Sequence, residues 1–84
     1  MDKVALVKFA RGSFDQEYSY FTDIENLKEG NLLIVPTSNS YSIASFSRYS
    51  KSKIHQEKAE KWIVKNIGPD IEAYEEKLFL GGFD

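Results

Sequence analysis

The hydrophobic period of this chain changes once, near residue 50, and that change fixes the class of fold it can adopt. Before it, apolar side chains alternate or cluster in short runs rich in Val, Ile, Phe and Tyr. After it they recur three and four positions apart. The first pattern lays side chains on the two faces of a strand, and the second lays them on one stripe of a helix. The sequence therefore predicts an α+β protein: about four antiparallel strands within residues 1–50, one or two helices within 51–78, and a tail at 79–84. No repeat, linker or low-complexity tract divides it, so residues 1–84 read as a single domain.

Four stretches carry the strand signal. Val4 to Phe9 ends in the turn chemistry of Arg11-Gly12-Ser13. Glu17 to Thr22 sets Tyr18, Tyr20 and Thr22 on one face against Glu17, Ser19 and Phe21. Leu32-Leu33-Ile34-Val35 follows the turn formers around Gly30 and is ended by Pro36, which has no ladder donor. Tyr41 to Tyr49 alternates after Thr37-Ser38-Asn39-Ser40 and reads as the hairpin partner of that run, with Tyr41 and Tyr49 on one face.

From Ser52 onward, Ala59, Trp62, Ile63 and Ile67 fall at helical spacing, with Lys58, Glu60, Lys61 and Lys65 elsewhere. This predicts an amphipathic helix capped by Ser50 or Ser52, supported by a Glu57–Lys61 pair and stopped by Gly68-Pro69. Trp62 is its expected anchor on the sheet, with a truncation cost of about 3–5 kcal/mol. Asp70 can cap a second short helical turn that carries Ile71, Tyr74 and Leu78 inward, and Phe79, Leu80 and Phe83 can dock on the core.

Of the 84 residues, 42% are hydrophobic and 14% aromatic, enough for one core at a size close to the lower limit for unaided folding. No cysteine is present, which removes disulfide, zinc-thiolate and cysteine-nucleophile chemistry and points to a reducing compartment, by default the cytoplasm. No apolar run approaches the roughly 20 residues of a membrane span, and no signal-peptide pattern opens the chain. The net charge of -2 disfavours a general polyanion binder, but it is unevenly spread: residues 1–50 carry -1, residues 51–65 carry +3 and residues 66–84 carry -4.

The order Leu27-Lys28-Glu29-Gly30-Asn31, Leu32 to Thr37, Tyr41-Ser42-Ile43-Ala44, Ala59-Glu60-Lys61-Trp62-Ile63-Val64 and Ile71-Glu72-Ala73-Tyr74 resembles uncharacterised small proteins of bacteriophages and prophages of Gram-positive bacteria. The likeness spans Val4 to Lys77, and the Ser-rich stretch Ser38 to Ser52 departs from it. It implies an SH3-like barrel or curled sheet followed by one or two helices, and a viral origin. It implies no activity.

Catalytic arrangements are sparse. His55 is the single histidine, and neither a metal-ligand spacing nor a nucleophile–base pair surrounds it. Glu75 and Glu76 are helix neighbours that point apart, and Gly81-Gly82 lacks the strand–turn–helix setting of a phosphate loop. Neither an enzyme nor a cofactor is expected. The surplus is tyrosine: Tyr18, Tyr20, Tyr41 and Tyr49, with Arg48 and Lys51 nearby, form the candidate binding surface unless the rings serve the core or cross-strand pairs. Tyr and Arg are enriched at protein interfaces, so the leading expectation is an accessory protein that binds a host or phage protein and modulates a host enzyme or defence system. The same rings can stack nucleic-acid bases, with Arg48, Lys51, Lys53, Lys58, Lys61 and Lys65 meeting phosphates. A homo-oligomeric virion component paired through a strand edge is the third expectation.

Overall fold

The computed structural model describes residues 3–10 and 16–79. The turn expected at Arg11-Gly12-Ser13 and the docking expected of Leu80 and Phe83 lie outside them. Five strands and two helices follow in the order β1 (Lys3–Phe9), β2 (Tyr18–Thr22), β3 (Leu32–Pro36), β4 (Tyr41–Ser50), α1 (Lys53–Lys58), β5 (Lys65–Asn66) and α2 (Gly68–Phe79). The strands form one sheet ordered β2-β1-β4-β3-β5, and every pairing is antiparallel. The α+β class and the β3–β4 hairpin are as the sequence predicts, whereas β5 arises in a stretch read as helix.

β1 lies between β2 and β4, and Val4, Ala5, Leu6 and Val7 are all buried, which is why its sequence is a continuous apolar run. The register sorts its neighbours by face. Ala5 and Val7 share the inner face with Tyr20, Phe46, Ala44, Leu33 and Val35, and Leu27 and Ile63 complete that core. Each fully buried Leu or Val contributes about 1.5–3 kcal/mol.

The β1–β4 register shifts between Leu6 and Val7: Leu6 faces Arg48 while Val7 faces Phe46, so Ser47 is an extra residue. A bulge of this kind reverses the facing of everything beyond it. Tyr41 faces outward beside Pro36, whereas Tyr49 faces inward beside Ala5. The shared face expected for Tyr41 and Tyr49 is corrected by that one residue. Turned inward, the Tyr49 hydroxyl donates to the Ile24 carbonyl at 2.7 Å and accepts from the Leu27 N–H at 3.0 Å, pinning the β2–β3 connection to the sheet.

The second correction concerns residues 59–67. α1 ends at Lys58, and Ala59 is already extended, with φ -72° and ψ 126°. The chain then runs between the two outer strands. Phe21 N–H donates to the Lys61 carbonyl and Ile63 N–H to the Phe21 carbonyl, while Val64 N–H donates to Ile34 and Ile67 N–H to Leu32, all at 2.9 Å. One extended segment thus satisfies both ends of the sheet and curls it round on itself, which a helix cannot do. Ile63 is buried while Trp62 and Val64 on either side of it are exposed, the alternation of a strand. Trp62 is therefore not the anchor: it is 44% exposed and leans on Phe21 at 5.5 Å between ring centroids.

Gly68-Pro69 opens a helix instead of stopping one. Proline suits the first turn, where its missing N–H is not needed. Asn66 Oδ1 accepts the Gly68 N–H at 3.0 Å, and Asp70 in the first turn pairs with Lys65 at 3.0 Å. α2 buries none of its residues, so the inward stripe expected of Ile71, Tyr74 and Leu78 is corrected: Tyr74 and Leu78 are exposed and Ile71 is half-buried. The molecule is accordingly elongated, 50 × 27 × 23 Å, with a radius of gyration of 14.3 Å against about 12 Å for a compact chain of this length.

Candidate functional site: a groove beside strand β2

Successive residues of a strand direct their N–H and C=O groups to opposite edges. Both backbone groups of Phe21 face Lys61–Ile63, so those of Ser19 face the same side, away from β1. At Lys61 the chain diverges from β2 toward α1, and the pairing stops. Among the described residues, the Ser19 N–H and C=O have no hydrogen-bond partner.

The divergence opens a groove of about 360 Å3. One wall is β2 and its lead-in, from Gln16 to Tyr20, and the other is His55, Lys58, Glu60 and Lys61. Local chemistry holds the second wall in place. The Ser50 hydroxyl lies 2.6 Å from His55 Nδ1 and accepts the Ser52 N–H at 3.1 Å, while Ala59 at the end of α1 is buried. A wider cleft of about 730 Å3 opens at the adjoining end of the sheet, between Phe9, Tyr18, Thr37, Ser38 and Ile43, and it shares Tyr18, Tyr20 and Lys61 with the groove. Tyr18 stands between the two and packs edge-on against Phe9 at 5.1 Å.

Charge in the groove is unbalanced by one internal pairing. The Glu17 carboxylate accepts from Arg48 Nη2 at 3.2 Å and Nε at 3.4 Å, and from the Ser47 hydroxyl at 2.5 Å. These bonds, Arg48 first and Ser47 second, hold its pKa below the ordinary 4.5. Glu17 is thereby committed to Arg48, whereas Lys58 and Lys61 make no ion pair among the described residues. The groove is left receptive to negative charge, with Glu60 as its remaining acid.

The expected binding residues are divided among three places. Tyr18 is on the groove rim, 38% exposed. Tyr20 shares its face but is buried, its hydroxyl donating to the Pro36 carbonyl at 2.9 Å; burial, with Tyr18 a lesser cause, pushes its pKa up. Tyr49 serves the core, against Phe46 at 4.9 Å. Tyr41 is 67% exposed on the outer face, Arg48 is tied to Glu17, and Lys51 is exposed beyond the end of β4. No shared stacking platform results. Sequence reading passed over Ser19, because an open edge belongs to the pairing of strands and no residue type announces it.

These features define a class of protein: a small α+β domain whose antiparallel sheet leaves one strand edge open beside a short helix. No protein-family model matches the chain, and neither a curated protein nor a solved structure matches it. Among the described residues no helix is long and apolar enough to cross a membrane, and no three His, Asp or Glu side chains are grouped to hold a metal ion.

Proposed function

We propose that the chain is a non-catalytic, SH3-like protein-binding module of the phage accessory kind its residues resemble, and that it grips an extended segment of a host or phage protein in the groove beside β2. The observation that carries this reading is the Ser19 backbone, without a hydrogen-bond partner among the described residues, at the edge where the pairing of Phe21 with Lys61–Ile63 ends. An incoming strand continues that pairing. Strand addition draws affinity from main-chain hydrogen bonds, each worth about 0.5–1.5 kcal/mol net, and specificity from alternate side chains that meet the walls. Lys58 and Lys61 favour acidic side chains at those positions. The curl imposed by residues 61–67 supports the SH3-like assignment.

Peptides selected from a random library on the folded protein, measured by fluorescence anisotropy, test the proposal. Ser19→Pro removes the edge donor at a position where its N–H faces away from β1, so a folded variant is expected to lose binding at least tenfold. Undiminished binding by that variant refutes strand addition. Labelled single-stranded oligonucleotides are expected not to bind at the same salt, and tighter binding of oligonucleotides than of any selected peptide overturns the reading.

A further inference from the structure

Among the described residues two apolar surfaces are exposed, and each has the shape and charge to cover the other in a second molecule. The first is the outer face of β3 and β4. There Ile34 and Ile43 sit opposite each other, Tyr41 is next in register, and the three border a shallow depression of about 410 Å3. Tyr41 and Ile43 are 67% and 56% exposed. The second is α2, whose Ile71 and Leu78 fall on one stripe two turns apart, with Leu78 half exposed and Phe79 almost fully so.

We propose that α2 of one copy lies across the β3–β4 outer face of a second copy, and reciprocally, in a two-fold dimer. Charge selects this partner. Residues 68–79 of α2 carry -3 and residues 1–67 carry +2, so the arm of one molecule complements the body of another. The local arrangement agrees: Lys8 is opposite Ser45, the outward neighbour of Ile43, and places a cation on one side of the depression, while on the other side Lys65, opposite Ile34, is paired with Asp70 of its own chain. Glu72, Glu75 and Glu76 are exposed on the arm. Pairing two α2 helices with each other instead brings those acids against their own copies. The arm does not cover its own sheet, since it begins two residues after β5 and its first turn is fixed by the Lys65–Asp70 pair and by Ile71 N–H donating to the Ile67 carbonyl at 3.0 Å. Reciprocal exchange of an identical element is the arrangement a two-fold axis closes without leaving a free end.

Sedimentation equilibrium of the full chain at low salt, from micromolar to millimolar concentration, is the test. The parent is expected to be a dimer that weakens severalfold with added salt, while Leu78→Glu and Ile43→Glu, both at exposed positions, each sediment as monomers with unchanged melting. An equimolar mixture of the two variants is expected to recover part of the association, because one intact arm then meets one intact sheet face. A parent that is monomeric throughout overturns the proposal. So does a dimer that survives Ile43→Glu and is lost in Leu78→Glu, which identifies helix-to-helix pairing. Should either variant fold poorly, the salt dependence of the parent and of Glu75→Lys decides: dimerisation that salt or Glu75→Lys strengthens contradicts the charge argument.

Discussion

Gly30 and Glu17 show how single residues set local structure here. Gly30 has φ 90° in the turn closed by Asn31 N–H donating to the Lys28 carbonyl at 2.9 Å, a type II turn in which that position requires the left-handed region. Nothing lies within 4 Å of where its Cβ would be, so conformation is the whole constraint. Gly30→Val is expected to destabilise the fold by about 1–2 kcal/mol in urea titration. Glu17 has its pKa lowered by Arg48 and Ser47, so its stabilising contribution is complete above the unfolded-state value and is lost as pH falls through the folded one. Urea midpoints are expected to drop on acidification below 4.5, and to drop less in Glu17→Gln. The turn was legible from its residues, since glycine before asparagine names its own geometry. The facing of the tyrosines was not, because the Ser47 bulge is invisible to an alternation count and moves Tyr49 from a presumed surface into the core.

At the scale of elements, the segment from Ala59 to Ile67 teaches most. Its apolar residues fit a helical stripe, yet the same Ile63 with exposed flanks fits a strand, and two open sheet edges decide between the readings. Local pattern gave way to backbone hydrogen bonds that only an extended chain can supply. Ile63→Ala is expected to cost about 2–4 kcal/mol, and Trp62→Ala less than about half of that, as measured by chemical denaturation. The reverse order contradicts the assigned roles. Gly68-Pro69 was ambiguous for a related reason: the same pair ends one helix and begins another, and the Asn66 cap and the Lys65–Asp70 pair resolve it. The hairpin of β3 and β4 needed no such arbitration, because Pro36 and the Thr37–Ser40 turn mark it in the sequence.

For the whole molecule, the change of hydrophobic period was enough to foresee a sheet followed by helical structure, and the segregated charge foretold a basic middle and an acidic end. What those charges are near could not be foreseen, since the detachment of α2 from the body and the open edge of β2 are properties of the assembled sheet. Both surfaces follow from the path of residues 59–67: the chain joins β2 only at Lys61, which leaves Ser19 without a partner among the described residues, and it leaves β2 after Ile63 to pair with β3, beyond which α2 starts outward. Amide hydrogen exchange read residue by residue tests that account most directly. In the free protein the Ser19 amide is expected to exchange fast while those of Tyr20 and Phe21, bonded to β1 and to Lys61, are protected; a selected peptide should slow Ser19 and shift the resonances of Lys58 and Lys61. A Ser19 amide already protected without peptide, or unchanged when peptide is bound, contradicts it.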